Sequence, residues 1–292
     1  MKQNDEEKTG LIEGEHKNDN QEKKDSNNVV VEKKEEKKPE ENNSDQPSVL
    51  NQVKSNIMES INAVLFELVG TFLFMTALLL GASHEASIIA FWIIIVMVAP
   101  FSGGHLNPAV TLACYVYDMQ LFKGLGKLIM YVLFQILGGY LGLIFSQLIR
   151  DNTEIKVTRY QSADNKEFIS EAFFTGTFVF VILYVCSKTT RVSDNRALNC
   201  GLIASWLYYA SSSASTRSIG ALNPIVIFVV ALYNDGVYFS WYQNNKNEVW
   251  QNIWAELAGA FVFAILFFLV EKAFPSQESS EVKKEEQIEV KS

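Results

Sequence analysis

The stretch SGGHLNPAVT, residues 102–111, is echoed by IGALNPIVIF, residues 219–228, in the second half of the chain. The corresponding tripeptides are Asn107-Pro108-Ala109 and Asn223-Pro224-Ile225, which share the Asn-Pro pair. Proline suits the first turn of a helix, where no amide hydrogen is needed, and asparagine suits the cap just before it. Each copy therefore predicts a helix that is too short to cross a bilayer. Two such helices that meet tip to tip would complete one membrane span and direct their positive ends at its centre.

The rest of the sequence contains segments long enough to span a membrane. An α-helix needs about 20 apolar residues to cross a bilayer, and six segments approach that length. They cover roughly 61–82, 86–102, 124–149, 168–187, 197–214 and 250–274, and the short helices cover about 107–117 and 223–233. The sequence therefore predicts an all-α membrane protein with six transmembrane helices and two re-entrant half-helices.

The two halves of the apolar region repeat each other in detail. FELVGTF around Glu67 matches SEAFFTGTF around Glu171, and QILGGYLG, which begins at Gln135, matches ELAGAFVF, which begins at Glu256. Three spans per repeat force the second copy to enter the membrane upside down, and inverted repeats of this kind place the working site near the midplane. The predicted repeats cover about 60–150 and 167–274.

Polar tails flank the apolar region at both ends. Residues 1–55 and 276–292 are rich in Lys, Glu, Asp, Asn and Gln, so they cannot bury enough apolar surface to fold alone. We expect disordered tails around a channel domain at 56–275, and the tails carry most of the formal net charge of −8. No basic patch indicates nucleic-acid binding, and the tails are candidates for binding cytoplasmic partners.

The lysines and arginines beside the spans predict the orientation in the membrane, because such residues are enriched in cytoplasmic loops. More of them fall on the side of the two tails than on the other side. We therefore expect a multi-pass membrane protein with both termini in the cytoplasm, in the plasma membrane or an intracellular vacuolar membrane. The side with the larger number holds Lys54, Lys123, Lys127, Lys188, Arg191, Arg196 and Lys272.

Neither the cysteines nor the polar residues indicate metal binding or catalysis. Cys114, Cys186 and Cys200 fall in or beside apolar helices at no metal-binding spacing, so the sequence predicts that they pack as small apolar side chains. No nucleophile with a matching base and no phosphate-binding loop is evident. We therefore do not expect an enzyme.

With these motifs and their spacing, residues 60–274 resemble the aquaporin family, also called the major intrinsic proteins. SGGHLNPAVT is a near-perfect match to the family motif, and the second Asn-Pro motif stands at the family's spacing. The resemblance implies that each subunit holds its own pore and that four subunits assemble together in the lipid bilayer. Members pass water and, in some branches, glycerol, urea, ammonia or other small neutral solutes. They need no cofactor.

Each polar group in and around the predicted pore has a hydrogen-bonding role that its chemistry predicts. The side-chain amides of Asn107 and Asn223 would donate hydrogen bonds to water at the pore centre, where the half-helix dipoles repel cations. Glu67 and Glu171, inside apolar spans, would accept hydrogen bonds from the backbone before each half-helix, or alternatively relay protons. His105 is either a structural histidine beside a tight loop or a pH gate.

The sequence departs from the family at the expected selectivity filter. Aquaporins nearly always have arginine directly after the second motif, and this chain has Val226 there. Ile225 stands where alanine is usual, and Ile227 is neither the serine of water channels nor the aspartate of glycerol facilitators. Without arginine, the filter should repel cations less and orient water less well.

The other filter residues follow from counting back from each motif. Ser87 falls at the position on the second helix. The fifth helix offers Ser211 when the count starts from Asn223, and Tyr208 when the usual start of that helix is matched instead. Two serines would form a wide, uncharged mouth, whereas Tyr208 would narrow it, and Gly220 or a neighbour would supply backbone carbonyls. Arg217 is either a solvated loop residue or a substitute for the missing charge.

We therefore expect a passive channel for water or small uncharged solutes. The alternative is a non-conducting scaffold or assembly protein of the same fold, in which Ile225 and Val226 plug the constriction and the tails recruit partners. An ion-coupled transporter is a weaker third interpretation, because it would need buried midplane charges beyond Glu67 and Glu171.

Overall fold

The computed structural model describes residues 49–119, 124–150, 165–237 and 241–274. These residues form eight α-helices and no β-strand. The helices are α1 (Val49–Leu80), α2 (His84–Ser102), α3 (Pro108–Tyr117), α4 (Leu125–Ile149), α5 (Asn165–Cys186), α6 (Arg196–Ala214), α7 (Pro224–Val237) and α8 (Trp241–Ala273). The helix α1 begins before the predicted boundary at residue 56. The tails expected at 1–55 and 276–292 otherwise lie outside the described residues.

The helix lengths follow the predicted pattern of long spans and short half-helices. Within the described ranges, α1, α2, α4, α5 and α8 are long and apolar enough to cross a membrane, and α3 and α7 are the short apolar helices. The sixth predicted span is α6, whose 19 residues extend about 28 Å at 1.5 Å per residue. Its serines lower its hydropathy, and one face of α6 lines the cavities described below.

The helices pack with the symmetry of the repeat. In the first half α1 packs on α4, and in the second half α5 packs on α8. Each half-helix crosses to the other repeat, so that α3 contacts α8 and α7 contacts α4, while α2 and α6 contact each other. This is the arrangement of six spans and two half-helices in an inverted repeat, and it places the tips of α3 and α7 together inside the bundle.

Glycines allow close helix contacts at matching sites in the two halves. A Cβ on Gly138 of α4 would overlap the backbone carbonyl oxygen of Leu68 in α1. A Cβ on Gly259 of α8 would overlap the carbonyl oxygen of Ala172 in α5. Small residues at such crossings let helix backbones approach each other.

The outward surface of the bundle is apolar. Large apolar side chains remain exposed along the spans, among them Leu65, Ile93, Leu133 and Phe261. An apolar patch this extensive is unusual on a soluble monomer and suits contact with lipid. The chain is an integral, multi-pass membrane protein.

Candidate functional site

The two half-helices begin as the Asn-Pro pairs predict. Asn107 caps α3, where its Oδ1 accepts a hydrogen bond from the amide of Ala109 at 2.8 Å, and Pro108 is the first helical residue. Asn223 stands before α7 in the same way, because its Oδ1 accepts from the amide of Ile225 at 3.1 Å. Each asparagine therefore satisfies one of the amide groups left open at a helix N-terminus.

The two asparagines also join the half-helices to each other. The Nδ2 of Asn107 donates to the carbonyl oxygen of Leu222 at 2.8 Å, and the Nδ2 of Asn223 donates to the carbonyl oxygen of Leu106 at 3.0 Å. This exchange brings the N-terminal ends of α3 and α7 together, although 115 and 117 residues separate the paired groups. A side-chain amide has two hydrogens on its nitrogen, so each asparagine keeps a second donor.

Two leucines adopt a backbone conformation that their residue type does not predict. Leu106 and Leu222 have φ values of 50° and 51°, in the left-handed region that non-glycine residues seldom occupy. Each leucine directly precedes an Asn-Pro pair, and its carbonyl oxygen accepts the hydrogen bond from the opposite asparagine. The signal in the sequence was the repeated Leu-Asn-Pro triplet.

Glu67 holds the backbone that leads into α3. Its two carboxylate oxygens accept hydrogen bonds from the amides of His105 at 2.9 Å and Leu106 at 2.8 Å. Gln135 of α4 donates to the same carboxylate at 2.7 Å and to the hydroxyl of Thr111 at 3.0 Å. Glu67 is completely buried, and these bonds satisfy both of its oxygens.

Glu171 and Glu256 hold the matching backbone before α7. One oxygen of Glu171 accepts from the amide of Gly220, and the other accepts from the amide of Leu222 at 3.4 Å. Glu256 of α8 accepts from the amide of Asn223 at 2.8 Å. The second oxygen of Glu256 is buried without a hydrogen-bond partner among the described residues. The carboxylates of both repeats thus bind the backbone of the loops before the half-helices.

His105 is held on several sides. Its backbone amide binds Glu67, its Nδ1 lies 3.2 Å from the hydroxyl oxygen of Thr111, and its ring centroid lies 5.2 Å from that of Tyr131. Tyr131 is fixed in turn, because its hydroxyl donates to the carbonyl oxygen of Ser102 at 2.8 Å. These contacts favour the structural role of His105.

A first cavity of about 210 Å³ reaches the two asparagines. Successive turns of α2 and α6 form two of its walls, and Asn107, Asn223 and Val226 also line it. The lining residues of α2 are His84, Ser87, Ile88 and Phe91, and those of α6 and the following residue are Leu207, Ser211 and Ser215. The complete lining is mostly apolar, with polar groups from α2, from α6 and from the half-helix tips.

A second cavity of about 430 Å³ continues along the same helices. It is lined by the next turns of α2 and by the earlier turns of α6. The lining residues of these helices are Phe91, Ile95 and Ala99 of α2, and Arg196, Asn199, Cys200 and Ile203 of α6. Phe91, His105 and Phe178 line both cavities, so the two spaces adjoin at the level of these three residues.

The predicted filter residues separate into two groups. Ser87, Ser211, Gly220 and Val226 all line the first cavity. Tyr208 does not line it; its side chain is 37% exposed, and its hydroxyl donates to Glu85 at 2.9 Å. Of the two candidates on the fifth membrane helix, the structure thus places Ser211 at the cavity.

Two further candidates lie away from the first cavity. Ile225 is buried in a cluster with Met75 and Leu143, between α7 and the α1–α4 pair, so its side chain does not enter the cavity. Arg217 is exposed after α6 and is absent from the cavity lining. Neither a plug at Ile225 nor a replacement charge at Arg217 agrees with these positions.

The cysteines lie together around the second cavity. Cys114, Cys186 and Cys200 all line it, as free thiols that are half-buried, exposed and buried, respectively. Packing describes Cys200 well, but Cys186 is exposed, because it is the last residue of α5. No group of three or more His, Cys, Asp or Glu side chains suited to a metal ion occurs in the part of the chain that the structure describes.

Comparison with known proteins places this geometry in context. Residues 81–271, which contain both Asn-Pro motifs, match the family model described as "Major intrinsic protein". The X-ray structure of the aquaglyceroporin from Plasmodium falciparum is similar, with a TM-score of 0.61 and 19% sequence identity. The match covers 72% of this chain and 96% of that chain, and at this identity it shows the fold alone. No curated protein matches the sequence significantly.

Proposed function

The chain belongs to the major intrinsic protein family, and from this we propose that it is a passive channel for water and small uncharged solutes such as glycerol, urea and ammonia. One observation carries the proposal. Successive turns of α2 and α6 line first one cavity and then the next, the two cavities share Phe91, His105 and Phe178 in their linings, and the first cavity reaches Asn107 and Asn223 at the half-helix tips. Membership of a family of channels also supports a function without catalysis.

The groups at the half-helix tips suit a neutral solute. Asn107 and Asn223 line the first cavity, and each has an amide hydrogen beyond the one it donates to the opposite loop. These hydrogens can bind the oxygen of a water or hydroxyl that has lost other partners in a narrow space. The N-terminus of each half-helix adds roughly half a positive charge, which opposes the passage of cations.

The lining of the first cavity supports a permissive filter. Val226 contributes no charge, and Ser87 and Ser211 contribute only hydroxyls. A cavity without an arginine leaves more width and imposes fewer directional hydrogen bonds on a solute. We therefore expect that solutes of the size of glycerol pass as well as water.

The alternative is a non-conducting scaffold of the same fold. Its motive in the sequence was that Ile225 and Val226 could close the constriction. Ile225 is buried in a cluster with Met75 and Leu143 and does not line the first cavity, which supports the channel over the scaffold. A variant that lacks residues 1–52 provides a second test, because a scaffold should lose localisation or partners while a channel keeps its permeability.

Stopped-flow measurements on proteoliposomes test the channel directly. We expect the purified protein to raise water and glycerol permeability above that of protein-free vesicles. Val226→Trp should abolish this gain, because an indole is large for a cavity of about 210 Å³. The matched control is Ile93→Trp, which introduces the same side chain at an exposed site on α2 outside the cavity lining. Equal permeability of protein-containing and empty vesicles for water, glycerol, urea and ammonia would reject the channel.

A second variant at the same position tests the filter. Val226→Arg adds a charge and several hydrogen-bond donors to the first cavity, so the ratio of glycerol to water permeability should fall by roughly tenfold. The comparison is Val226→Leu, which adds volume without charge and should change this ratio less. If the arginine variant has the wild-type ratio, position 226 does not form the constriction.

The assembly and orientation are part of the proposal. The resemblance supports a homotetramer, in which each subunit conducts through its own pore. The distribution of lysine and arginine supports cytoplasmic termini, and a tetramer in the plasma membrane or a vacuolar membrane would then present the tails to cytoplasmic partners. In that orientation the first cavity opens to the side opposite the cytoplasm.

A further inference from the structure

The lining of the first cavity includes a histidine that belongs to no sequence motif. His84 is the first residue of α2, directly after the helix cap at Ser83, whose Oγ accepts from the amide of Ala86 at 3.3 Å. It lines the cavity one turn before Ser87 and is exposed at that end of the helix. Its position is therefore at the mouth of the cavity, on the side away from the half-helix tips.

Two side chains of α6 hold the ring of His84 in place. The Nε2 atom lies 2.9 Å from the hydroxyl oxygen of Ser211, and the ring centroid lies 5.1 Å from that of Tyr208. Tyr208 is itself attached to α2, because its hydroxyl donates to Glu85 at 2.9 Å. The imidazole is thus fixed at the mouth by a hydrogen bond and a ring contact.

The hydroxyl groups near His84 have already used their hydrogens. The hydroxyl of Ser87 lies 3.1 Å and 3.2 Å from the carbonyl oxygens of Ala77 and Ser83, and the hydroxyl of Ser215 donates to the carbonyl oxygen of Ser211 at 2.7 Å. Val226, on the opposite half-helix, is apolar. By contrast, the Nδ1 atom of His84 makes no hydrogen bond to any residue that the structure describes.

We propose that His84 is a specificity-determining residue at this mouth, where its free ring nitrogen binds small hydroxyl-bearing solutes and its ring limits their width. The inference rests on the proposed function, since it assigns a residue to the filter of that channel. In this proposal the polar group of the filter lies at the contact between α2 and α6, because the filter position on α7 is the apolar Val226.

The chemistry of imidazole fits water and short polyols. When Nε2 donates its hydrogen to Ser211, Nδ1 accepts, and when Nε2 accepts from the Ser211 hydroxyl, Nδ1 donates. A hydroxyl group can serve as partner in both cases, because it is both a donor and an acceptor. A solute that enters the cavity can therefore exchange one hydrogen bond with water for one with His84.

Three variants at position 84 separate width from hydrogen bonding. His84→Ala removes the ring and should raise the ratio of glycerol to water permeability by roughly three- to tenfold, the effect of about one hydrogen bond and the lost bulk. His84→Phe keeps a ring without a nitrogen, so the water permeability and the glycerol permeability should each fall by roughly three- to tenfold. His84→Gln keeps a donor and an acceptor and should restore values near those of the wild type.

The control is Tyr209→Phe, which removes the hydroxyl of an exposed tyrosine on α6 that does not line the first cavity. Its permeability ratio should equal that of the wild type. A ratio within one vesicle preparation does not depend on the number of folded channels, so a purely structural role of His84 would leave it unchanged. If the wild type conducts but the alanine and phenylalanine variants keep its ratio and rates, the role of His84 is overturned while the channel stands. If the wild type does not conduct, both proposals are overturned.

Discussion

Gly259→Ala should strongly destabilise the protein, although the substitution adds a single methyl group. The new Cβ would lie 2.7 Å from the carbonyl carbon of Ala172 and still closer to its oxygen. Overpacking costs about 1–3 kcal/mol where side chains can move aside. Here the neighbour is the backbone of α5, so the two helices themselves must separate. We expect a loss of at least about 3 kcal/mol, at the upper end of that range.

The matched control is Gly126→Ala, also in a long membrane helix. An added Cβ there meets no atom within 4 Å. Alanine is favoured over glycine within a helix by about 0.5–1 kcal/mol, so this variant should be unchanged or slightly more stable. The stability of both variants is measured by heating the detergent-solubilised protein and determining, by size-exclusion chromatography, the fraction that still elutes as a single peak. A stability loss of about 3 kcal/mol corresponds to a fall of roughly 6–12 °C in a protein of this size.

Opposite signs for two chemically identical changes would confirm that the α5–α8 contact depends on backbone proximity. Equal effects at the two sites would show instead that Gly259 matters only through helix propensity. Gly138, which faces Leu68 at the matching place in the first repeat, should behave like Gly259.

The fold could be predicted from the sequence because its strongest signals are repeated. Asparagine and proline determine where a helix begins through local chemistry alone, so the first residues of both half-helices were predicted to within one residue. Glu67 and Glu171 were recognisable because a carboxylate in an apolar span needs partners. The one weak span was α6, whose four serines lower the hydropathy that identifies a membrane helix, and of these Ser211 lines the first cavity.

The filter could not be resolved from the sequence, because neighbouring positions on a helix differ only in direction. Ser211 and Tyr208 lie three residues apart, and only the packing of α6 against α2 decides which one lines the cavity. Ile225 and Val226 are adjacent, and a rotation of 100° per residue turns one toward α4 and the other toward the cavity.

His84 had no signal at all in the motifs. It lies at the start of a span, where a polar residue is ordinary, and its importance depends on a partner 127 residues away in the chain. Leu106 and Leu222 were missed for a related reason, since leucine does not favour the left-handed conformation. The loops impose it through hydrogen bonds from both sides.

Glu171→Gln should abolish most of the conductance, because both oxygens of Glu171 accept hydrogen bonds from backbone amides. These amides belong to Gly220 and Leu222, in the loop that presents the Leu222 carbonyl to Asn107. Glutamine would turn its own N–H groups toward one of those donors. A buried polar group without a partner costs roughly 1–3 kcal/mol, so the strained loop should shift. We expect water permeability per reconstituted channel to fall by roughly tenfold or more, as 1.4 kcal/mol corresponds to a factor of ten.

Glu256→Gln is the matched control, because it changes the same atoms of another buried carboxylate beside the same loop. Only one oxygen of Glu256 accepts a hydrogen bond, from the amide of Asn223, while its other oxygen has no partner in the described part of the protein. Glutamine can keep that bond through its carbonyl oxygen, and Gln135 already stands at the matching position in the first repeat. We therefore expect near-normal permeability for Glu256→Gln in the same stopped-flow measurement. If both variants lose conductance equally, the negative charge matters rather than the number of backbone hydrogen bonds that the side chain accepts. If both variants conduct normally, Glu171 does not hold the loop.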